Sequence, residues 1–175
     1  LEADARRLGW QSAARLNGSS DVAWERRHPE ILAVFPNLQF YDYTKIVGRM
    51  HHFLGIKQRS PKIAWPKNYH LTFSGDRSNE DQARRILNHG GNVALAFWPE
   101  LPRKWWGFPV IDGDTHDARF LDEPGCIVGL RAKGLARVDL TGFTYRPCPE
   151  CDRPSEELNL VNVSDDSHRA THHQC

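Results

Sequence analysis

Long apolar runs are missing from this 175-residue sequence. No stretch approaches the roughly 20 residues that span a bilayer, and the opening LEADARRLGW has no hydrophobic signal core. No membrane partner is expected, and the composition suits a soluble cytoplasmic protein. An excess of one charge is missing too. The 23 basic and 22 acidic residues leave a net charge of +1, so no global field draws bulk nucleic acid or a membrane surface. Neither GxxxxGK[ST] nor GxGxxG occurs, which excludes the two common glycine-rich nucleotide loops. Cysteine is scarce, at four residues, and CxxxCxxC is absent. There is no initiator Met, and a natural start upstream of Leu1 is an expectation.

What is present is a set of short apolar runs that stop abruptly in polar residues: RLNGSSD, FYDYTK, LTFSGD, ALAFWPE, VIDGD and IVGL. A buried strand that ends in Asn, Ser, Asp or Lys and feeds a helix is how a parallel α/β sheet presents a site at its carboxyl edge. Leu1, Ala5 and Leu8 predict a helix stopped by Gly9, and residues 11–17 a strand. Asp21 is expected to cap a helical stretch, with Pro29 opening a second piece and Pro36 ending it. Leu38–Tyr43 reads as a strand with Thr44 as N-cap of a helix through Leu54. Tyr69–Phe73 reads as the next strand. Ser78-Asn79-Glu80-Asp81 resembles a capping box, followed by a helix with Ala83, Ile86 and Leu87 on its buried stripe. Asn92–Trp98 is apolar nearly throughout, as in a strand buried on both faces. No helix is evident between strands near 108–112 and 126–130, so part of the later sheet is expected to be antiparallel.

The fold class that follows is α/β: an incomplete (β/α) barrel or an open, mostly parallel sheet. Residues 1–146 form the α/β domain, and the polar, His-rich residues 147–175 a small C-terminal appendage containing Cys and His. One pocket is expected where the strand ends converge. Asn17, Ser20 and Asp21 would hold an anionic or amine group, Asp42 and Lys45 would orient it, and Ser74, Asp76 and Asp112 would complete the wall. Asp42 and Asp112 are the candidate acid or base. Each has a structural alternative, as cap, turn or ion pair. The loop Asp112–Asp117 can gather Mg²⁺ or Ca²⁺, or be an acidic turn partly neutralised by Arg119. Trp105 and Trp106, beside Arg103 and Lys104, can stack on bases or simply cap the core. Cys148-x2-Cys151 followed by His168-x3-His172 has ligand spacing for tetrahedral zinc, with His173 and Cys175 as spare candidates.

The series ARLNGSSDVAWE, FPNLQFYDYTK, NYHLTFSGDRSNE, NVALAF, VIDGDTHDARF and GCIVGLRAKG resembles the phage "gene product eighty-eight" domain family of actinobacteriophages. The resemblance covers roughly residues 14–143. It implies a fold-level likeness to radical S-adenosylmethionine barrels, in which Asn17–Asp21 would face the cofactor's amino group. An iron–sulfur cluster and S-adenosylmethionine are implied only if a Cys segment lies upstream. Two functions are expected: a phage-type accessory protein binding a small molecule in the strand-end pocket, or a non-catalytic module engaging a host protein, less favourably nucleic acid, stabilised by zinc.

Overall fold

The structure is a computed structural model and describes residues 2–56 and 64–147. Helix α1 (Glu2–Leu8) precedes β1 (Ala13–Arg15), the short helices α2 (Trp24–Arg27) and α3 (Pro29–Val34), and β2 (Gln39–Thr44). Helix α4 (Val47–Phe53), β3 (Tyr69–Ser74), α5 (Glu80–Asn88) and β4 (Val93–Phe97) follow. The remainder is β5 (Lys104–Trp105), β6 (Phe108–Asp112), a 3-10 turn at Arg119–Leu121, β7 (Ile127–Arg131), a second at Gly134–Val138, and β8 (Thr144–Tyr145).

The eight strands form one open sheet in the order β1-β2-β3-β4-β7-β6-β5, with β8 paired to β4. Of the two architectures expected, the open sheet is the one formed. Strands β1 to β4 are parallel and added in one direction, so crossovers of one hand deposit their helices on a single face. There Phe40, Tyr69, Leu71, Phe73, Val93, Leu95 and Phe97 meet Leu32, Met50, Ala83, Ile86 and Leu87 from α3, α4 and α5. After β4 the direction reverses. The chain runs out to β5 and β6 and returns to β7 beside β4, so the 113–126 connection crosses the opposite, helix-free face. Tyr41, which alternates away from the helices, touches Phe120 of that connection, with ring centroids 5.7 Å apart.

Helix α5 forms where the sequence places it. Glu80 and Asp81 stand in its first turn, Arg85 in its last, and the apolar stripe is buried. The capping box, however, starts two residues earlier and belongs to a 3-10 turn at Arg77–Asn79 that leads into α5. Asp76 accepts from the Ser78 amide, and the Asn79 side chain accepts from the Asp76 amide, while α5's own N-cap, Asn79, makes no side-chain cap bond. The later sheet is also less antiparallel than expected. Strand β6 runs parallel to β7 through Val110–Ile127 and Asp112–Gly129, and only the β5–β6 hairpin is antiparallel. Trp105 and Trp106 cap the core, edge-on to Tyr145. The appendage expected at 147–175 lies outside the described residues beyond Pro147.

Gly129 is a point of close approach between β7 and its neighbours. A Cβ there would lie 2.7 Å from Val110 Cγ1, 3.0 Å from Leu101 Cδ2 and 3.3 Å from the Ile111 carbonyl. Gly129→Ala is expected to cost roughly 1–3 kcal/mol in urea unfolding through overpacking. Gly18→Ala, which meets nothing within 4 Å, serves as the control.

Candidate functional site

Several of the expected ligand residues meet in a buried polar network on the helix side of the strand ends. Asp42 is wholly buried; one oxygen accepts from the Asn17 amide at 2.7 Å, the other from Asn17 Nδ2 at 3.0 Å and from the Tyr69 hydroxyl at 2.6 Å. Burial pushes its carboxyl up, against the pull of those hydrogen bonds and of Arg49. Asn17 Oδ1 in turn takes the Ser20 hydroxyl, the Val22 amide and the Trp24 indole N–H. Arg49 is buried and forks onto both oxygens of buried Glu25, and it reaches Asp21 at 2.7 Å. Each group saturates another, so Asn17, Ser20 and Asp42 build the turn after β1 and bolt it to α4 and β3.

Asp21 caps no helix. The N-cap of α2 is Ala23, and Asp21 instead accepts from the Thr44 hydroxyl and the Lys45 amide. Thr44 likewise is not the N-cap of α4, which is Ile46, although its Oγ1 accepts the Ile46 amide at 3.0 Å. Lys45 pairs with Asp76. Burial alone pushes the Asp76 carboxyl up, but hydrogen bonds from Lys45 and Ser78 hold it below the ordinary range. Asp112 is on the same face of the sheet, in register with Gly129 and Leu95, but on β6, beyond β3, β4 and β7 from Asp42. It is paired with exposed Arg131 at 2.8 Å, and that bond keeps its carboxyl low. Asp42 and Asp112 are therefore not brought together. Nor does Arg119 neutralise the acidic loop: Arg131 and Lys133 do so, at 2.8 Å from Asp112 and 3.0 Å from Asp114. Among the described residues no group of three or more His, Cys, Asp or Glu is arranged to hold a metal ion. Cys148, Cys151, His168 and His172 lie outside the described residues.

The open concavity is on the other face. A cavity of about 530 Å³ is lined by Arg15, Tyr43, Ser74, His116 and Asp117, with Phe143 at its margin. Its floor is made of small residues, Gly75, Ala94, Ala96 and Gly113. Alternation along the strands generates the walls: Arg15, Tyr43, Ser74, Ala94 and Ala96 all point away from the helices. The guanidinium of Arg15 lies 4.7 Å from the Tyr43 ring centroid, and both residues converge on Asp117. Tyr43 donates to Oδ1 at 3.0 Å; Tyr41, at 3.2 Å, and Arg15, at 3.4 Å, donate to Oδ2. Burial and Asp117 push the Tyr43 phenol up, so it remains a donor at neutral pH. Of the residues expected to build the strand-end pocket, only Ser74 lines this cavity; Gly113, Asp114, His116 and Asp117, from the loop expected to gather a cation or form an acidic turn, line it as well. The signal for Arg15 and Tyr43 was the strict alternation Arg15, Tyr41, Tyr43, opposite Asp42; it points to the second face only once the helices are known to share the first.

The family model described as "Gene product 88" matches residues 1–154. No curated protein and no solved structure matches the chain. Nothing in these comparisons supports the likeness to radical S-adenosylmethionine barrels, and with no CxxxCxxC in the sequence no step through an iron–sulfur cluster is derived.

The Asp42 network generates a stability prediction. Asp42→Ala strips the partner from the Asn17 amide, Asn17 Nδ2 and the Tyr69 hydroxyl, and is expected to cost roughly 3 kcal/mol or more in chemical unfolding. A change below about 1 kcal/mol would show that these donors find water instead.

Proposed function

The chain belongs to the Gene product 88 family, and from that premise we propose that it is a phage-type accessory α/β protein that binds a small molecule on its helix-free face. The observation that carries this reading is the coincidence of the cavity with the reversal of strand order. Open parallel sheets bind ligands beyond the carboxyl ends of their strands, at the point where the order reverses. Here that point is the β4–β7 junction, and Ala94, Ala96 and Leu130 from those strands line the cavity. Its volume is that of a small-molecule site.

The walls suit recognition rather than proton transfer. Asp117 takes three protein donors, and Asp114 takes the Arg131 amide at 2.9 Å and Lys133 at 3.0 Å. The backbone bond from Arg131, reinforced by Lys133, keeps the Asp114 carboxyl low, outside the range of a general acid at neutral pH. A second reading, a module that engages a host protein, is favoured by the large apolar side chains left in solvent after β7: Leu135 is 87 % exposed and Leu140 94 %. In either reading we propose that Cys148, Cys151, His168 and His172 hold zinc.

Filling the floor tests the pocket. Ala96→Leu is expected to abolish binding of uncharged fragments detected by ligand-observed NMR on the wild type, while the far-UV spectrum is kept; identical binding in both proteins would remove this reading. For zinc, elemental analysis of the purified chain is expected to return about one equivalent, as a single tetrahedral site requires. Cys148→Ser is expected to release it, and a metal-free wild type would dismiss the site.

A further inference from the structure

Arginines and aromatic rings collect around Tyr145 at the carboxyl end of β4. Strand β8 sets Tyr145 alongside Phe97, and the Trp98 amide donates to the Tyr145 carbonyl. Trp106 stands edge-on to Tyr145, with ring centroids 5.5 Å apart. Each of these three rings has a guanidinium against it from another part of the chain. Arg84 of α5 lies 4.4 Å from the Trp106 centroid, Arg137 4.8 Å from that of Trp98, and Arg77 5.9 Å from that of Tyr145. Arg146, next to Tyr145, donates to the Arg137 carbonyl at 2.8 Å. Every contact shares a member with the next, so the four arginines form one surface.

The charge of that surface is not balanced within the fold. Among the described residues only Arg84 of the four has a carboxylate partner, Glu80 at 2.7 Å. Asp76, beside Arg77, is paired with Lys45, and Asp139 is taken up by the Thr141 hydroxyl and the Gly142 and Thr144 amides. Arg137 donates through Nε to the Ala132 carbonyl, and Arg146 through Nη2 to that of Arg137. Their remaining guanidinium nitrogens, and all of those of Arg77, have no hydrogen-bond acceptor among the described residues, and all three arginines are exposed. On a chain whose net charge is only +1, this is a local excess that a polyanion would find.

The rings say which polyanion. Trp98 and Trp106 are half-buried, so each indole seals the core and still reaches solvent beside its guanidinium. The edge of a guanidinium forks onto phosphate, while guanidinium and indole faces stack on unpaired bases. An acidic peptide would use the edges alone, and a duplex hides its base faces. We propose that this surface binds single-stranded nucleic acid, with Arg77, Arg137 and Arg146 on phosphates and Trp98, Trp106 and Arg84 as the stacking platform. None of these residues lines the cavity, so the proposal stands apart from the small-molecule reading.

The test is fluorescence anisotropy with labelled oligo-dT and oligo-rU of roughly 16 nucleotides, over a series of salt concentrations. Saturable binding of at least one is expected, with a log–log salt slope of about −2 to −3, since each arginine on a single-stranded phosphate contributes about −0.7. Arg77→Gln, Arg137→Gln and Arg146→Gln are each expected to weaken binding about five- to tenfold and to flatten the slope by about 0.7. Arg26→Gln on α2 removes the same charge elsewhere and is expected to change neither. All four positions are exposed, and an unchanged far-UV spectrum checks that each variant folds. A duplex of the same length and polyglutamate are expected to bind more weakly than the single strands. Absence of saturable binding, or an equal loss with Arg26→Gln, overturns the proposal. Equal or tighter binding of polyglutamate overturns it in favour of an acidic protein partner, and equal or tighter binding of the duplex in favour of backbone recognition without stacking.

Discussion

The order in which the strands are laid down governs this molecule. Because β1 to β4 advance in one direction, their helices all fall on one face, and because β6 returns through β7 to the flank of β4, its connection must cross the other. One face becomes a core of Phe, Leu, Ile and Val, while the second is roofed only by a short irregular segment. A sheet with both faces under helices would have no room for a cavity above Ala94 and Ala96. Here that room follows from connectivity, and the small side chains of the central strand keep it open.

The polar residues at the strand ends separate according to the face they are on. On the helix side Asn17, Asp42, Tyr69, Arg49 and Glu25 are mutually saturated, and replacing the whole set by apolar groups would be less harmful than removing one member. On the open side Arg15, Tyr41 and Tyr43 converge on one carboxylate brought in from the crossing loop, 74 to 102 residues away in sequence. Both sets start from the same two strands. One residue of register decides whether a polar side chain fastens the fold or faces the cavity.

Much of the fold was legible because its signals are local and periodic. The stripe Ala83, Ile86, Leu87 and the unbroken run Val93–Phe97 each describe burial directly. Local rules failed where a distant partner outbid them. Asp21 has the sequence position of a cap, yet Arg49 and Thr44 claim its carboxylate. Ser78 begins a plausible capping box, but Asp76, drawn to Lys45, begins the real one. The strand-end rule led, in Ser74, to one wall residue of the cavity. It could not find His116 or Asp117, because their placement depends on the reversal after β4, and no periodicity in the chain records the order of strands. Membership of the Gene product 88 family, legible from the motifs, did not supply that order either.

The central strand is unusually shared. Along one flank β4 pairs with β3 only through Phe73–Val93 and Ser74–Ala94, after which β8 takes over at Ala96–Thr144 and Phe97–Tyr145. Two residue pairs are thus the whole ladder between the first three strands and the rest of the sheet. Mechanically this is a seam, with compliance concentrated at one line. The cavity straddles it, with Arg15, Tyr43 and Ser74 on one side and Leu130 on the other. Any occupant acts as a strut between two half-sheets, and its binding free energy adds to their cohesion by mass action. In this architecture the narrow line of backbone pairing between the two half-sheets and the place where a guest can reinforce it are the same.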